Sequence, residues 1–182
     1  MKTKHRLLLI SLLFSFPCCK NVEDKKQLLP LRYYDLKGFM ELQAQKYNSQ
    51  HLTIDKFIEK DGKKESKTIK NVDWKKELEI FEETDINRPG WRNSYSGDTL
   101  KVGDYLLIHY KAKEQQLPVR EIMLTISSDG SCRDVSIEKE TKNFFHTSFQ
   151  QLYFNPDSGY RIKGRQQVRF IFETTYSVRC KM

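Results

Sequence analysis

Three histidines outside the leader, His51, His109 and His146, are the first residues to weigh for chemistry, because imidazole can hold a metal or move a proton near neutral pH. They fall in separate segments. Neither an H-E-x-x-H pattern nor a paired C-x-x-C accompanies them, so the sequence carries no metal motif and implies no cofactor. Ser136 and Lys139 match S-x-x-K without the S-D-N and K-T-G partners that the chemistry needs, and no G-x-S-x-G occurs. Glu77 and Glu79 fall on a helical stretch whose exposed face they would solubilise. Catalytic residues are therefore assigned to none, and the expectation is a protein that is not an enzyme.

Cys132 and Cys180 are a pair that an oxidising compartment would allow to bridge. Cys132 has the opposite strand parity to the inward Val135 and Ile137, whereas Cys180 shares parity with the inward Tyr176 and Val178. A disulfide therefore requires a bulge or turn that resets the register.

A sharper feature lies in residues 160–170, where Tyr160, Ile162, Val168 and Phe170 share one parity and Arg161, Lys163, Arg165 and Arg169 share the other. In a strand this spacing gives a basic stripe along one sheet face. Two readings stand: charges that keep an edge strand from aggregating, or a contact for an acidic protein or an anionic lipid. Nucleic acid is not expected, since no aromatic residues alternate with the stripe as a stacking platform would.

The elements that would position these residues follow from periodicity. Asp35 is placed to cap a helix over Leu36–Asn48 with Leu36, Phe39, Met40 and Tyr47 on one face, and Asp73 to cap a second over Trp74–Glu83 with Trp74, Leu78 and Phe81 aligned. Between them, strands over Leu52–Glu59 and Ser66–Asn71 flank Asp61-Gly62, a hairpin dipeptide. From Tyr105 the text reads as strands: YLLIHYKA, VREIMLTIS, SCRDVSIEK, FFHTSFQQLYF, YRIKGRQQVRFIF and YSVRCKM. Gly97-Asp98 and Gly103-Asp104 read as turns before them. The short connections demand antiparallel neighbours, so the expected fold is α+β, two helices packed on one antiparallel, curved β-meander spanning residues 31–182.

The N-terminus reads as an address. Lys2, Lys4 and Arg6 precede an apolar run, Leu7 to Phe16, too short to span a bilayer as a permanent helix. It ends in Phe16-Pro17-Cys18-Cys19-Lys20, which resembles the lipobox of bacterial lipoproteins. That resemblance implies a signal peptide over 1–18, lipidation of Cys19, with Cys18 the alternative, and a polar tether over 19–30. Acyl chains hold a protein at a membrane because each buried methylene contributes about 0.8 kcal/mol.

Beyond the leader, WKKELEIF, LPVREIMLTI and SGYRIKGRQQV give a layout similar to small outer-membrane lipoproteins of the Bacteroidota. The resemblance implies a lipid-anchored protein of the cell envelope, on the periplasmic or surface side of the outer membrane, acting as a binding or accessory subunit. A second expectation is a carrier of a hydrophobic or lipid ligand, with Phe144, Phe145, Phe149, Tyr153 and Phe154 lining a cavity.

Charge supports the division. The 182 residues carry 32 Lys plus Arg against 24 Asp plus Glu, a formal charge of +8. Removing residues 1–18 takes away Lys2, Lys4 and Arg6 and leaves +5, and residues 160–182, with six basic side chains against Glu173, alone account for +5. The rest of the processed chain is neutral.

Overall fold

A computed structural model describes residues 30–182, of which Leu31–Met182 form one compact unit. The leader, Cys18, Cys19 and nearly all of the tether lie outside the described residues. Two α-helices and a nine-stranded, wholly antiparallel open sheet make up the domain. In chain order these are α1 (Leu36–Gln50), β1 (Ile54–Lys60), β2 (Lys63–Ile69), α2 (Trp74–Glu82), β3 (Tyr95–Val102), β4 (Tyr105–Ala112), β5 (Val119–Ser127), β6 (Cys132–Lys142), β7 (His146–Asn155), β8 (Gly159–Val168) and β9 (Phe172–Lys181).

Local chemistry sets the helix starts. Asp35 Oδ1 accepts from the Gly38 amide at 2.9 Å and Asp73 Oδ1 from the Lys76 amide at 3.3 Å, each satisfying an amide that the first turn leaves free. The β1–β2 hairpin turns through Asp61 and Gly62, both at positive φ, as the Asp-Gly pair requires.

The sheet order is β2-β1-β9-β8-β7-β6-β5-β4-β3. Seven strands follow one another as a meander, and the early β1–β2 hairpin joins the far side of the last strand. One consequence is that β8 is interior, with three strands beyond it on the β9 side. Its basic residues therefore do not guard an edge, which removes the edge-protection reading of the stripe. The edge on that side is β2, whose Lys63, Lys64, Glu65 and Lys67 discourage pairing with another chain.

The inward alternation is as the parity predicts: Ile122, Leu124, Ile126, Val135 and Ile137 are all buried. They share one buried cluster with Leu36, Met40, Ala44 and Tyr47 of α1 and with Trp74, Leu78 and Phe81 of α2. Rings make its centre. Phe81 lies 5.6 Å from Phe154 and 5.8 Å from Tyr160, Phe39 lies 6.0 Å from Phe154, and Tyr47 lies 4.7 Å from Trp74.

Three strand assignments need correction. Tyr95–Val102 is a strand, with Gly97-Asp98 inside it rather than in a turn; a Cβ at Gly97 would lie 3.0 Å from the Tyr110 ring on β4, tight enough that the ring would have to shift. Phe144 and Phe145 belong to the β6–β7 turn, not to β7. The run 160–172 is not one strand, because the chain reverses at Arg169–Ile171.

Candidate functional site

The outer sheet face collects the charged residues into transverse rows. On β8 and β9, Arg161 stands directly opposite Arg179, Lys163 opposite Ser177, and Arg165 opposite Thr175. Extending the first row, Tyr153 of β7 pairs with Arg161 and Phe57 of β1 pairs with Arg179. The sequence Phe57, Arg179, Arg161, Tyr153 thus crosses four strands, with two guanidinium groups flanked by aromatic rings. All four residues are exposed.

Neither arginine is neutralised. Among the described residues Arg161, Lys163 and Arg179 make no ion pair within 4 Å, while Arg165 has Glu173 at 3.8 Å. Like charges directly opposite on neighbouring strands destabilise a sheet by a few tenths of a kcal/mol to about 1 kcal/mol. A shallow groove lies to one side of the pair, lined by Phe57, Glu59, Ser66, Ser177 and Arg179. A second depression, lined by Tyr153, Ser158, Gly159 and Arg161, lies to the other. Gly159, at φ 111°, lets β8 start hard against β9, where a Cβ would fall 2.2 Å from the Cys180 carbonyl oxygen.

The expected stripe is realised in three of its four members. Arg161, Lys163 and Arg165 share the outer face, but Arg169 sits past the end of β8, stacked over Phe144 and Phe170 at 4.8 Å from each ring centroid. Phe170, which shares sequence parity with the buried Tyr160 and Ile162, is exposed. Arg179 completes the cluster. From the sequence, two antiparallel strands are expected here with their turn after Phe172; Arg169-Phe170-Ile171 contains no glycine, proline or asparagine to mark the true turn, and without its position there is no register.

Other chemistry does not assemble. His109 Nε2 contacts Glu121 Oε1 at 2.5 Å on the outer face, His51 closes α1 in a left-handed cap, and His146 opens β7. Among the described residues no three His, Cys, Asp or Glu side chains are placed to hold a metal ion. Ser136 and Lys139, three apart in one strand, point to opposite faces.

Glu77 corrects the expectation of a solubilising surface acid. It is largely buried, bound by Lys56 Nζ at 2.6 Å and by the hydroxyl of Tyr160, so that one carboxylate joins α2 to β1 and β8.

The cysteine pair is also corrected. The bulge that could reset the register exists: Thr125 pairs with Asp134 but Ile126 with Cys132, leaving Arg133 as the extra residue and turning Cys132 inward. Both cysteines are buried, and both are free. Strands β7 and β8 separate β6 from β9, and three spacings of about 4.8 Å place the pair roughly 14 Å apart, too far for a disulfide. Burial pushes the Cys132 thiol up to about 11 and the Cys180 thiol up to about 12, so both stay protonated and inert at neutral pH.

The aromatic run proposed to line a carrier cavity does not converge. Phe154 is fully buried and Phe149 half-buried, while Tyr153 faces outward and Phe144 and Phe145 stand in solvent. Alternation along β7 puts Phe149 and Tyr153 on the outer face and Phe154 on the inner one. No protein family, curated protein or solved structure matches the chain.

Proposed function

We propose that this chain is a non-enzymatic, lipid-anchored protein of the cell envelope that serves as a binding or accessory subunit and takes an acidic partner on its outer sheet face. The reading is carried by one observation, the unneutralised Arg161–Arg179 pair in the middle of a nine-stranded sheet. In this reading α1 and α2 back the inner face, supported by the ring contacts of Phe39 and Phe81 with Phe154, and leave the opposite face free.

The chemistry suits a carboxylate-bearing protein surface. Two adjacent guanidinium groups can each grip a carboxylate through paired N–H donors, and the bound anion removes their mutual repulsion. Lys163 adds field without fixed geometry and speeds encounter. Phe57 and Tyr153 offer apolar flanks that keep water from the ion pairs, as rings around interface anchors do. Attachment through Cys19, or through Cys18, would hold the domain at the outer membrane and raise its effective concentration near envelope partners.

Two measurements test the parts separately. Labelled palmitate is expected to enter the wild-type chain and not Cys19→Ala; label lost only in Cys18→Ala moves the site by one residue, and label in neither wild type nor variants removes the anchor. Affinity capture from solubilised envelopes is expected to recover a partner with the wild type and not with the Arg161→Glu, Lys163→Glu, Arg179→Glu variant. Identical partner sets would remove the arginine pair from the account.

A further inference from the structure

We infer that the end of the sheet formed by the β6–β7 and β8–β9 turns is a bilayer-surface contact, an aromatic and basic tip that inserts among anionic lipid headgroups. It goes beyond the proposed function and uses different residues. Four strands build it. Strand β6 pairs with β5 as far as Lys139 and continues to Lys142 against β7, while β1 reaches β9 only as far as Tyr176, so Phe172–Thr174 has β8 alone. At about 3.3 Å per residue this carries the turns roughly 10 Å past the neighbouring strands.

The projection ends in apolar side chains. Phe144, Phe145, Phe170, Ile171 and Phe172 are 70%, 69%, 91%, 74% and 55% exposed, a density of solvent-facing apolar surface that marks an interaction site. The turns are held to each other. The Arg169 amide donates to the Phe145 carbonyl at 2.9 Å, and Asn143 Oδ1 accepts from the amides of Phe145 and His146 at 2.9 and 2.8 Å. Phe170 occupies a left-handed conformation, φ 65°, that a bulky residue rarely adopts, and there its ring is the most exposed of all.

Charge selects the occupant. Residues 141–149 and 166–174 contain Lys142 and Arg169 against one acid, Glu173, which Arg165 meets at 3.8 Å. Rings at a projecting tip with cations just behind them match a headgroup layer over acyl chains, where aromatic residues settle at the interface and each cation near an anionic surface adds attraction. The placement agrees. Tyr33, near the first residue of the domain, donates its hydroxyl to the Arg92 carbonyl beside Tyr95, and Tyr95 lies at the same end of the sheet as the tip. Tyr33 and the tip therefore lie toward the same end of the strands.

The test uses the full chain carrying Ile171→Trp, with emission read as the difference from wild type. Vesicles of phosphatidylglycerol with brominated acyl chains are expected to shift that indole's emission to the blue and quench it by about half, and neutral phosphatidylcholine vesicles to do far less. Adding Phe144→Ser and Phe170→Ser is expected to weaken the effect about tenfold with an unchanged melting curve. An indole as open to iodide with vesicles as without overturns the inference, as does full quenching in the serine variant or equal quenching by neutral vesicles. Shielding that appears without lipid and grows with protein concentration would replace the bilayer with a second copy of the chain.

Discussion

Arg161 and Arg179 face each other across β8 and β9, and among the described residues neither has an ion-pair partner within 4 Å, so their repulsion can be measured in the free protein. Arg179→Gln removes it while keeping a polar side chain, so chemical denaturation is expected to show an unchanged or slightly higher stability, by about 0.5 kcal/mol. Partner capture should fall. A loss of more than about 1 kcal/mol would mean that Arg179 is structural and not held for binding. The cysteines give a second residue-level expectation: alkylation of the unfolded, unreduced domain should find both Cys132 and Cys180 free, and a single protected pair would contradict the strand order. At this scale the sequence is legible where a residue's role depends on its own strand, as for Arg161, Lys163, Ile122 and Val135. It is not where the role depends on register. Cys132 faces inward because of a bulge at Arg133, and Glu77 is partly covered because Tyr160 and Lys56 arrive from other strands.

Turn chemistry explains which elements could be read. Asp61-Gly62 announces its hairpin, since both positions need positive φ and both residue types accept it. Arg169-Phe170-Ile171 does not, because a phenylalanine stands where a three-residue hairpin loop usually has glycine. Phe170→Gly is therefore expected to stabilise the fold by about 1 kcal/mol, seen as a higher melting temperature, while weakening vesicle quenching at the tip. A lower melting temperature would show that the Phe170 ring contributes packing that outweighs its backbone strain. Strand β3 was hidden for a different reason. Its Tyr95 is buried and the rest of its residues are exposed, so an edge strand of this kind shows no alternation, and Gly97 is there to let Tyr110 lie flat across it.

In the described domain the sheet has one buried face and one charged face, and its pH response follows from what is buried. Cys132, Cys180 and Tyr95 have their ionisation pushed up, by desolvation first, to about 11, 12 and 12, and Tyr160 is raised further, by burial and then by its bond to Glu77. Each folded value lies above its unfolded value, so the native state holds these protons more tightly and the stability they add is complete below about pH 9. It should be lost steadily between pH 9 and 12, with the thermal midpoint falling across that window. A flat profile would mean that these groups reach water in the folded state. Composition alone gave a basic protein; the strand order shows where the charge is, with Arg161, Lys163 and Arg179 on the outer face and Lys142 and Arg169 behind the aromatic tip.

The most direct test of the proposed function is photo-cross-linking in intact cells from position 177, beside Arg179 and across from Lys163, compared with position 42 on the exposed side of α1. The expected result is a discrete adduct with one acidic envelope protein from position 177, absent from position 42 and lost on Arg161→Glu with Arg179→Glu. Adducts equal from both positions, or unchanged by the charge reversal, would contradict the account.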